Sequence, residues 1–224
     1  MKKILFIGNS HTYFHDLPYI FRCFTESEQA QKDGVEPMFS AMICHGGRML
    51  CEHLREPEIH YNLKFGDYDY VVLQQAAHPF PGKEALLSDG KALCDMIRSS
   101  ENVYAQPVAY MTWAEKAYPE HQQIMIESYT QLAAENHAIL APVGAVWQSI
   151  LQDENNTVDL YYTDGEHASL EGTYLAACVL YASITGKSPI GLPHLIAHRG
   201  DILYALSVED AAYLQKKTAE YLSL

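Results

Sequence analysis

The sequence lacks a surplus of positive charge and a long hydrophobic run. Its 224 residues carry 15 Lys and Arg against 28 Asp and Glu, which gives a net charge of −13. This acid surplus argues against nucleic acid and against an anionic membrane surface as partners, because both are bound through Lys and Arg. No apolar stretch reaches the roughly 18 residues of a membrane-spanning helix. We therefore expect a cytoplasmic protein that binds neither nucleic acid nor membrane.

The sequence also lacks paired cysteines. It has five, an odd number, and none of them forms a C-x-x-C pair: Cys23, Cys44, Cys51, Cys94 and Cys178. This spacing argues against a disulfide framework and against a zinc site built from cysteine. The apolar run at 4–7 is too short for the core of a signal peptide and favours a first strand.

Composition and length indicate one globular unit. Hydrophobic residues make up 48% of the chain and charged residues 19%, which argues against disorder. We find no repeat, low-complexity tract or linker. The sequence therefore predicts a single domain over residues 1–224, long enough to bury a core without covalent cross-links.

Short apolar runs alternate with helical patterns along the chain. The predicted strands cover 4–7, 38–43, 69–73, 102–110 and 138–143. The predicted helices cover 17–30, 48–56, 83–99, 118–136, 144–152, 169–185 and 208–222. This alternation predicts an α/β fold with parallel strands, right-handed crossovers and helices on both faces, hence three layers. In such folds the ligand site lies beyond the carboxyl ends of the strands. Those ends fall at 8–16, 44–48, 74–82, 110–116 and 144–147.

The first strand ends in Gly8-Asn9-Ser10. A serine on a sharp turn at a strand end can project its hydroxyl from the sheet and act as a nucleophile. Serine is also common at turns and at the start of helices, so Ser10 could equally cap the next helix.

A second candidate group is Asp164-Gly165-Glu166-His167. Attack by a serine hydroxyl needs a general base, which near neutral pH is most often histidine, and the histidine needs a carboxylate to fix its tautomer. Asp164 and His167 lie three residues apart, so both can face the strand ends. They could also be a helix cap and a surface histidine.

Two further groups follow the second and third strands. Gly46-Gly47 could bring backbone N–H groups close to a ligand, or form a plain tight turn. Gln74-Gln75-Ala76-Ala77-His78 carries side-chain donors that could stabilise an oxyanion.

Taken in order, these four groups resemble the SGNH (GDSL-type) hydrolase superfamily over residues 4 to about 186. The resemblance implies a flavodoxin-like, five-stranded parallel sheet and hydrolysis of an ester, often an acetyl or short acyl group on a sugar, without a metal or organic cofactor. It implies Ser10 as nucleophile, His167 as general base and Asp164 as the carboxylate that orients it. The implied oxyanion hole uses the N–H of Ser10 and that of Gly46 or Gly47.

The sequence departs from the superfamily after the third strand. The superfamily has Gly-x-Asn-Asp there, and this chain has no Asn at that point. By chemistry we favour Gln75 as the third oxyanion donor, with His78, which falls near the Asn position, as the alternative. A missing donor would cost about 3 kcal/mol of transition-state stabilisation.

Aromatic residues flank the proposed nucleophile. His11 and Trp113 could line the substrate site, Trp113 by stacking on a sugar face or contacting an acyl chain. Both could instead pack beneath loops, and for Tyr13 we favour packing.

Four other readings compete with ester hydrolysis. The same triad could transfer the acyl group to an alcohol instead of water. The fold could be a catalytically silent binding module, which the absent Asn favours and the joint presence of Ser10, Asp164 and His167 disfavours. A metal site is conceivable at His194 and His198, four residues apart, or among His45, His53 and His60, but zinc hydrolases need three converging ligands. A phosphate or nucleotide site at the first turn lacks the required glycine-rich loops.

Overall fold

The computed structural model describes residues 1–100 and 104–224. Its centre is a five-stranded parallel sheet in the order β2-β1-β3-β4-β5. The strands are β1 Lys2–Gly8, β2 Met38–Cys44, β3 Tyr70–Leu73, β4 Gln106–Tyr110 and β5 Ile139–Ala141. The α/β class and the parallel five-stranded sheet with flanking helices are thus confirmed.

Helices follow each strand of the sheet. They are α1 Ser10–Tyr13, α2 Leu17–Thr25, α3 Glu28–Lys32, α4 Leu50–His53, α5 Pro57–Phe65, α6 Lys83–Ser99, α7 His121–Glu135, α8 Val143–Leu151, α9 Leu170–Thr185 and α10 Val208–Leu222. A separate antiparallel hairpin consists of β6 Leu195–His198 and β7 Asp201–Ala205. Among the described residues, no helix is both long and apolar enough to cross a membrane.

The alternation of side chains along β1 divides the core in two. Ile4 and Phe6 pack with α2, α8 and α9 on one face of the sheet. Leu5 and Ile7 pack with α5, α6 and α7 on the other. Successive strand residues point to opposite faces, so a strand covered on both sides is apolar throughout. This explains why the strands read as continuous apolar runs.

Several predicted boundaries change in the structure. The helix predicted at 17–30 is two helices, because Ser27 has extended backbone and caps α3 through its side chain. The helix predicted at 48–56 shrinks to α4, and α5 follows it at Pro57, which suits a first helical turn. Strand β5 ends at Ala141 because Pro142 begins the turn into α8.

The fourth strand is shorter than predicted. It was expected over 102–110, but it begins at Gln106, and residues 102 and 103 lie outside the described residues. The hairpin and the single-turn helix α1 were not predicted. All five strands run the same way, so their carboxyl ends meet at one edge, where the groups from four loops converge.

Candidate active site

The turn after β1 is held by Asn9. Its side-chain oxygen accepts the backbone N–H of His11 at 3.1 Å, and its amide nitrogen donates to the carbonyl of Arg48 at 3.1 Å. Asn9, rather than Ser10, therefore caps α1, and Ser10 is the first residue of that helix. The hydroxyl of Ser10 is not used for capping.

Gln74 braces this turn from the end of β3. Its side-chain oxygen accepts the N–H of Asn9 at 2.8 Å and the hydroxyl of Thr12 at 2.9 Å, while its nitrogen donates to the carbonyl of Gln75. A Cβ at Gly8 would lie 2.4 Å from the Gln74 oxygen. Only glycine at position 8 lets the strand approach Gln74 this closely.

Three side chains from distant parts of the chain form a hydrogen-bonded series. The Ser10 Oγ lies 2.8 Å from the His167 Nε2, and the His167 Nδ1 lies 2.7 Å from the Asp164 Oδ2. The partners assign the tautomer: Nδ1–H donates to the carboxylate, and Nε2 accepts the hydroxyl proton. The structure thus brings together the three residues that the sequence proposed as a triad.

The loop at 164–167 is organised by Asp164 itself. Its other carboxylate oxygen accepts the N–H groups of Glu166 and His167, each at 2.9 Å. Burial raises the pKa of Asp164, but the hydrogen bonds from Glu166 and His167 outweigh it and bring the pKa to about 2. The carboxylate is therefore ionised across the range in which a histidine base works.

Gly46 and Gly47 lie in a turn beside α1. The turn begins where His45 donates to the carbonyl of Gly8 at 3.2 Å, and Gly47 has a φ of +69°. A Cβ at Gly46 would lie 3.3 Å from the hydroxyl of Tyr13. The turn therefore runs past the helix that carries Ser10, and Gly47 has a backbone conformation that other residues rarely adopt.

The amide of Gln75 is committed to the scaffold. Its oxygen accepts the N–H groups of Leu50 and Ala76, each at 2.9 Å, and its nitrogen donates to Asp89 at 3.4 Å. These bonds join β3 to α4 and α6. One of the two amide N–H groups of Gln75 is thus bonded to the scaffold, and its role as an oxyanion donor stays a prediction.

His78 lies in the cluster around His167. Its Nδ1 is 3.0 Å from the Nε2 of His11, and its Nε2 is 3.3 Å from the carbonyl of Trp113. Burial lowers the pKa of His78, which favours the neutral ring. Both ring nitrogens of His78 thus have protein partners, and the choice between Gln75 and His78 as the third donor stays a prediction.

Trp113 and His11, which could line the substrate site or pack beneath loops, are both buried. Trp113 is 0% exposed, stacks on Trp147 at 4.1 Å and donates its indole N–H to the carbonyl of Glu166 at 2.9 Å. His11 is 7% exposed and lies against the ring of His167. Both residues contact the loop that carries His167 from within.

Sequence reasoning missed Phe14, whose ring stacks on His167 with centroids 4.3 Å apart. Its position depends on left-handed backbone at His15 and Asp16, with φ of 47° and 53°. Histidine and aspartate adopt this conformation more often than most residues, but that preference does not predict which ring Phe14 contacts.

The proposed metal histidines have other partners. His194 bonds to the carbonyl of Leu206, and His198 to the hydroxyl of Tyr19. Within 1–100 and 104–224, one group brings three ligand atoms within 4.8 Å of one another: His45, Glu56 and Glu58. The Arg48 Nε lies 3.5 Å from the Glu56 carboxylate and supplies a positive charge there.

Solved structures of similar fold cover most of the chain. A protein of Slackia heliotrinireducens, described as a candidate SGNH hydrolase, matches with 26% identity and a TM-score of 0.66 over 82% of this chain and 98% of its own. A DUF4886 family protein from Bacteroides uniformis matches with 17% identity and a TM-score of 0.74 over 99% of this chain and 95% of its own. The psychrotrophic esterase EstA from Pseudoalteromonas matches with 15% identity and a TM-score of 0.59 over 83% of this chain and 98% of its own.

No protein-family model matches the sequence, and no curated protein matches it either. The structural matches include proteins described as SGNH hydrolases and GDSL-like lipases. The chain has the fold of the SGNH (GDSL-type) hydrolases, and the resemblance to that superfamily first seen in its motifs is confirmed.

Proposed function

We propose that this protein is a serine ester hydrolase that acts on a small acyl ester. The observation that carries the proposal is the series Ser10–His167–Asp164, with hydrogen bonds of 2.8 and 2.7 Å. Further support comes from solved structures of the same fold that are described as esterases or lipases. The acyl group is proposed to be acetyl or another short chain, and acetylated sugars are the first class of substrate to screen.

The proposed reaction runs in two halves. The Ser10 Oγ attacks the ester carbonyl carbon while the Nε2 of His167 takes the hydroxyl proton, and Asp164 stabilises the imidazolium that forms. The tetrahedral intermediate then collapses, and the imidazolium gives its proton to the departing alcohol. Water attacks the acyl-enzyme in the same way, releasing the carboxylic acid and restoring the Ser10 hydroxyl. This sequence needs no metal and no organic cofactor.

Backbone N–H groups stabilise the oxyanion in this proposal. They come from Ser10 and from Gly46 or Gly47, whose turn runs beside α1. His78 is the third donor, through the Nε2–H that bonds to the Trp113 carbonyl at the long distance of 3.3 Å. Donors of this kind act on the charge that develops in the transition state.

The test is hydrolysis of p-nitrophenyl acetate and butyrate at about pH 8. Ser10→Ala and His167→Ala should abolish turnover without loss of the fold. Asp164→Asn keeps the acceptor for the N–H groups of Glu166 and His167 but removes the charge, so kcat should fall about 10³-fold or more. The exposed variants Ser99→Ala and His60→Ala are matched controls and should keep full activity.

Labelling by a serine-directed fluorophosphonate separates the competing functions. Turnover in the wild type that survives in Ser10→Ala would contradict the assignment. If the wild type shows neither turnover nor labelling, the protein is a catalytically silent binding module. If an added alcohol receives the acyl group in preference to water, the protein is an acyltransferase that uses the same residues.

A further inference from the structure

The imidazole of His167 lies between two other rings. Phe14 stacks on one face, with centroids 4.3 Å apart and an interplanar angle of 16°. His11 covers the other face at 5.0 Å and 24°. Asp164 and Ser10 bond to the two nitrogens in the ring plane. The ring is therefore held at its edge by hydrogen bonds and on both faces by aromatic surface.

The face of the His167 ring that His11 covers is buried and uncharged. His11 is buried and bonded through its Nε2 to His78, which in turn reaches the carbonyl of Trp113. Burial lowers the pKa of His11 well below its usual value, and the neighbouring His78 and His167 lower it further. A neutral ring at this face adds no charge repulsion when His167 becomes protonated.

The outer ring, Phe14, is brought into position by an unusual backbone. The two residues after it, His15 and Asp16, both have left-handed φ angles, which are uncommon for residues other than glycine. Each has an anchor: the His15 Nδ1 lies 3.1 Å from the Thr173 hydroxyl, and Tyr204 donates to the Asp16 carboxylate at 2.8 Å. Strain of this kind persists where the surrounding structure overdetermines it, and it concentrates at functional sites.

We propose that Phe14 is a positioning residue for His167: its ring face fixes the imidazole toward Ser10 and stabilises the imidazolium that forms in the reaction. This role rests on the proposed function. A cation over an aromatic face is attracted by the ring quadrupole, and the attraction grows when water is excluded. Asp164 fixes the tautomer of His167 through a hydrogen bond at the edge of its ring. Phe14 instead restricts the tilt of that ring and stabilises its protonated form from the face.

The sign of the pH effect follows from the groups that face His167. These are Asp164 on its own loop, His11 on α1, His78 after β3, and Phe14, while the carboxylates of Glu115 and Glu166 act on His78. Removing the Phe14 ring leaves the carboxylates and the neutral histidines in place but takes away the aromatic face that stabilises the protonated ring of His167. His167 in the variant should therefore protonate at lower pH than in the wild type.

The experiment compares Phe14→Leu with Phe14→Tyr. Phe14→Leu keeps apolar volume but loses the aromatic face, so kcat should fall about 5- to 10-fold while KM changes less than about 2-fold. The acid limb of kcat/KM against pH should move to lower pH. Phe14→Tyr keeps the ring face and should restore both values. Phe39→Leu, the same change at an exposed position on β2, is the matched control and should change neither.

A second readout does not depend on turnover. In the Ser10→Ala background, NMR of the His167 ring protons should show titration at lower pH with Phe14→Leu than with phenylalanine, and Phe14→Tyr should reverse the change. Phe14→Met serves in place of Phe14→Leu if that variant does not fold. An unchanged titration and an unchanged acid limb would overturn the role of Phe14. Absence of esterase activity in the wild type would overturn the proposed function instead. The NMR comparison would still show whether Phe14 stabilises the protonated ring of His167.

Discussion

At the residue scale, the turn that carries Ser10, the proposed nucleophile, depends on side chains that take no part in the proposed reaction. Asn9 closes the first turn of α1, and Gln74 accepts the Asn9 N–H and the Thr12 hydroxyl. Gln74 is fully buried, so each donor would be without a partner in a dry environment if its oxygen were lost. The orientation of the Ser10 side chain therefore depends on Gln74, at the end of β3, as well as on β1, which precedes Ser10.

Gln74→Leu tests this dependence. The change leaves two buried donors, the Asn9 N–H and the Thr12 hydroxyl, without an acceptor, so the free energy of unfolding should fall by about 2–4 kcal/mol. The value of kcat should fall as well, because α1 is no longer fixed. Gln74→Glu keeps the accepting oxygen and, with its carboxyl protonated, can still donate to the Gln75 carbonyl, so at low pH it should lose less. Chemical denaturation and p-nitrophenyl acetate turnover measure the two effects. The exposed control Gln123→Leu should stay within about 0.5 kcal/mol; an equally small effect at Gln74 would contradict the bracing role.

At the element scale, capping residues decide where the helices begin. Ser27 accepts the N–H of Ala30 at 3.2 Å and donates to the carbonyl of Phe24 at 2.7 Å, which ends α2 and starts α3. Hydrophobic periodicity alone runs through this point and predicts one helix over 17–30. The cap, with extended backbone at Ser27, breaks the helix and turns the chain toward β2.

We expect Ser27→Ala to reduce the free energy of unfolding by about 1 kcal/mol, the usual cost of losing such a cap. Ser27→Thr retains the oxygen and should recover most of the loss. Thermal unfolding followed by circular dichroism gives the comparison. If Ser27→Ala and Ser27→Thr unfold at the same temperature, the side-chain cap does not stabilise α3.

At the scale of the whole molecule, the C-terminal helix is tied to the body by Asp153. Lys217 lies 2.7 Å from the Asp153 carboxylate, and the hydroxyl of Tyr213 donates to it at 2.9 Å. Both partners lie on α10, while Asp153 follows α8. The bond from Lys217, helped by those from Asn155 and Tyr213, holds the pKa of Asp153 well below its ordinary value.

This depressed pKa predicts a pH-dependent stability. At pH values between the two pKa values, Asp153 is ionised in the folded state and protonated in the unfolded chain. The stabilisation is therefore complete above the unfolded pKa of about 4, and it is lost as pH falls toward the lower folded pKa. Asp153→Asn should lower Tm at about pH 7, and the difference should shrink below about pH 4. Asp95→Asn, at an exposed pair with Lys91, should change Tm little at either pH. A constant difference for Asp153→Asn across this range would exclude the charge as its cause.

Much of this protein was readable from its sequence. The apolar runs predicted the strands because a doubly covered parallel strand has no polar face, and the strand ends located the groups around Ser10 and Gly46. Local chemistry also linked Asp164 to His167, since three residues on one turn suffice to join them. The resemblance to the SGNH hydrolases supplied the roles proposed for them.

Tertiary structure decided the rest, because it depends on contacts between distant residues. Only the folded chain brings Ser10 to within 2.8 Å of His167, 157 residues away. Only the fold commits the amide of Gln75 to the scaffold and buries Trp113. The stacking of Phe14 on His167 follows from backbone angles that the long-range anchors at Thr173 and Tyr204 hold. The sequence determines which groups are available at the strand ends, and the packing of the fold determines which of them meet.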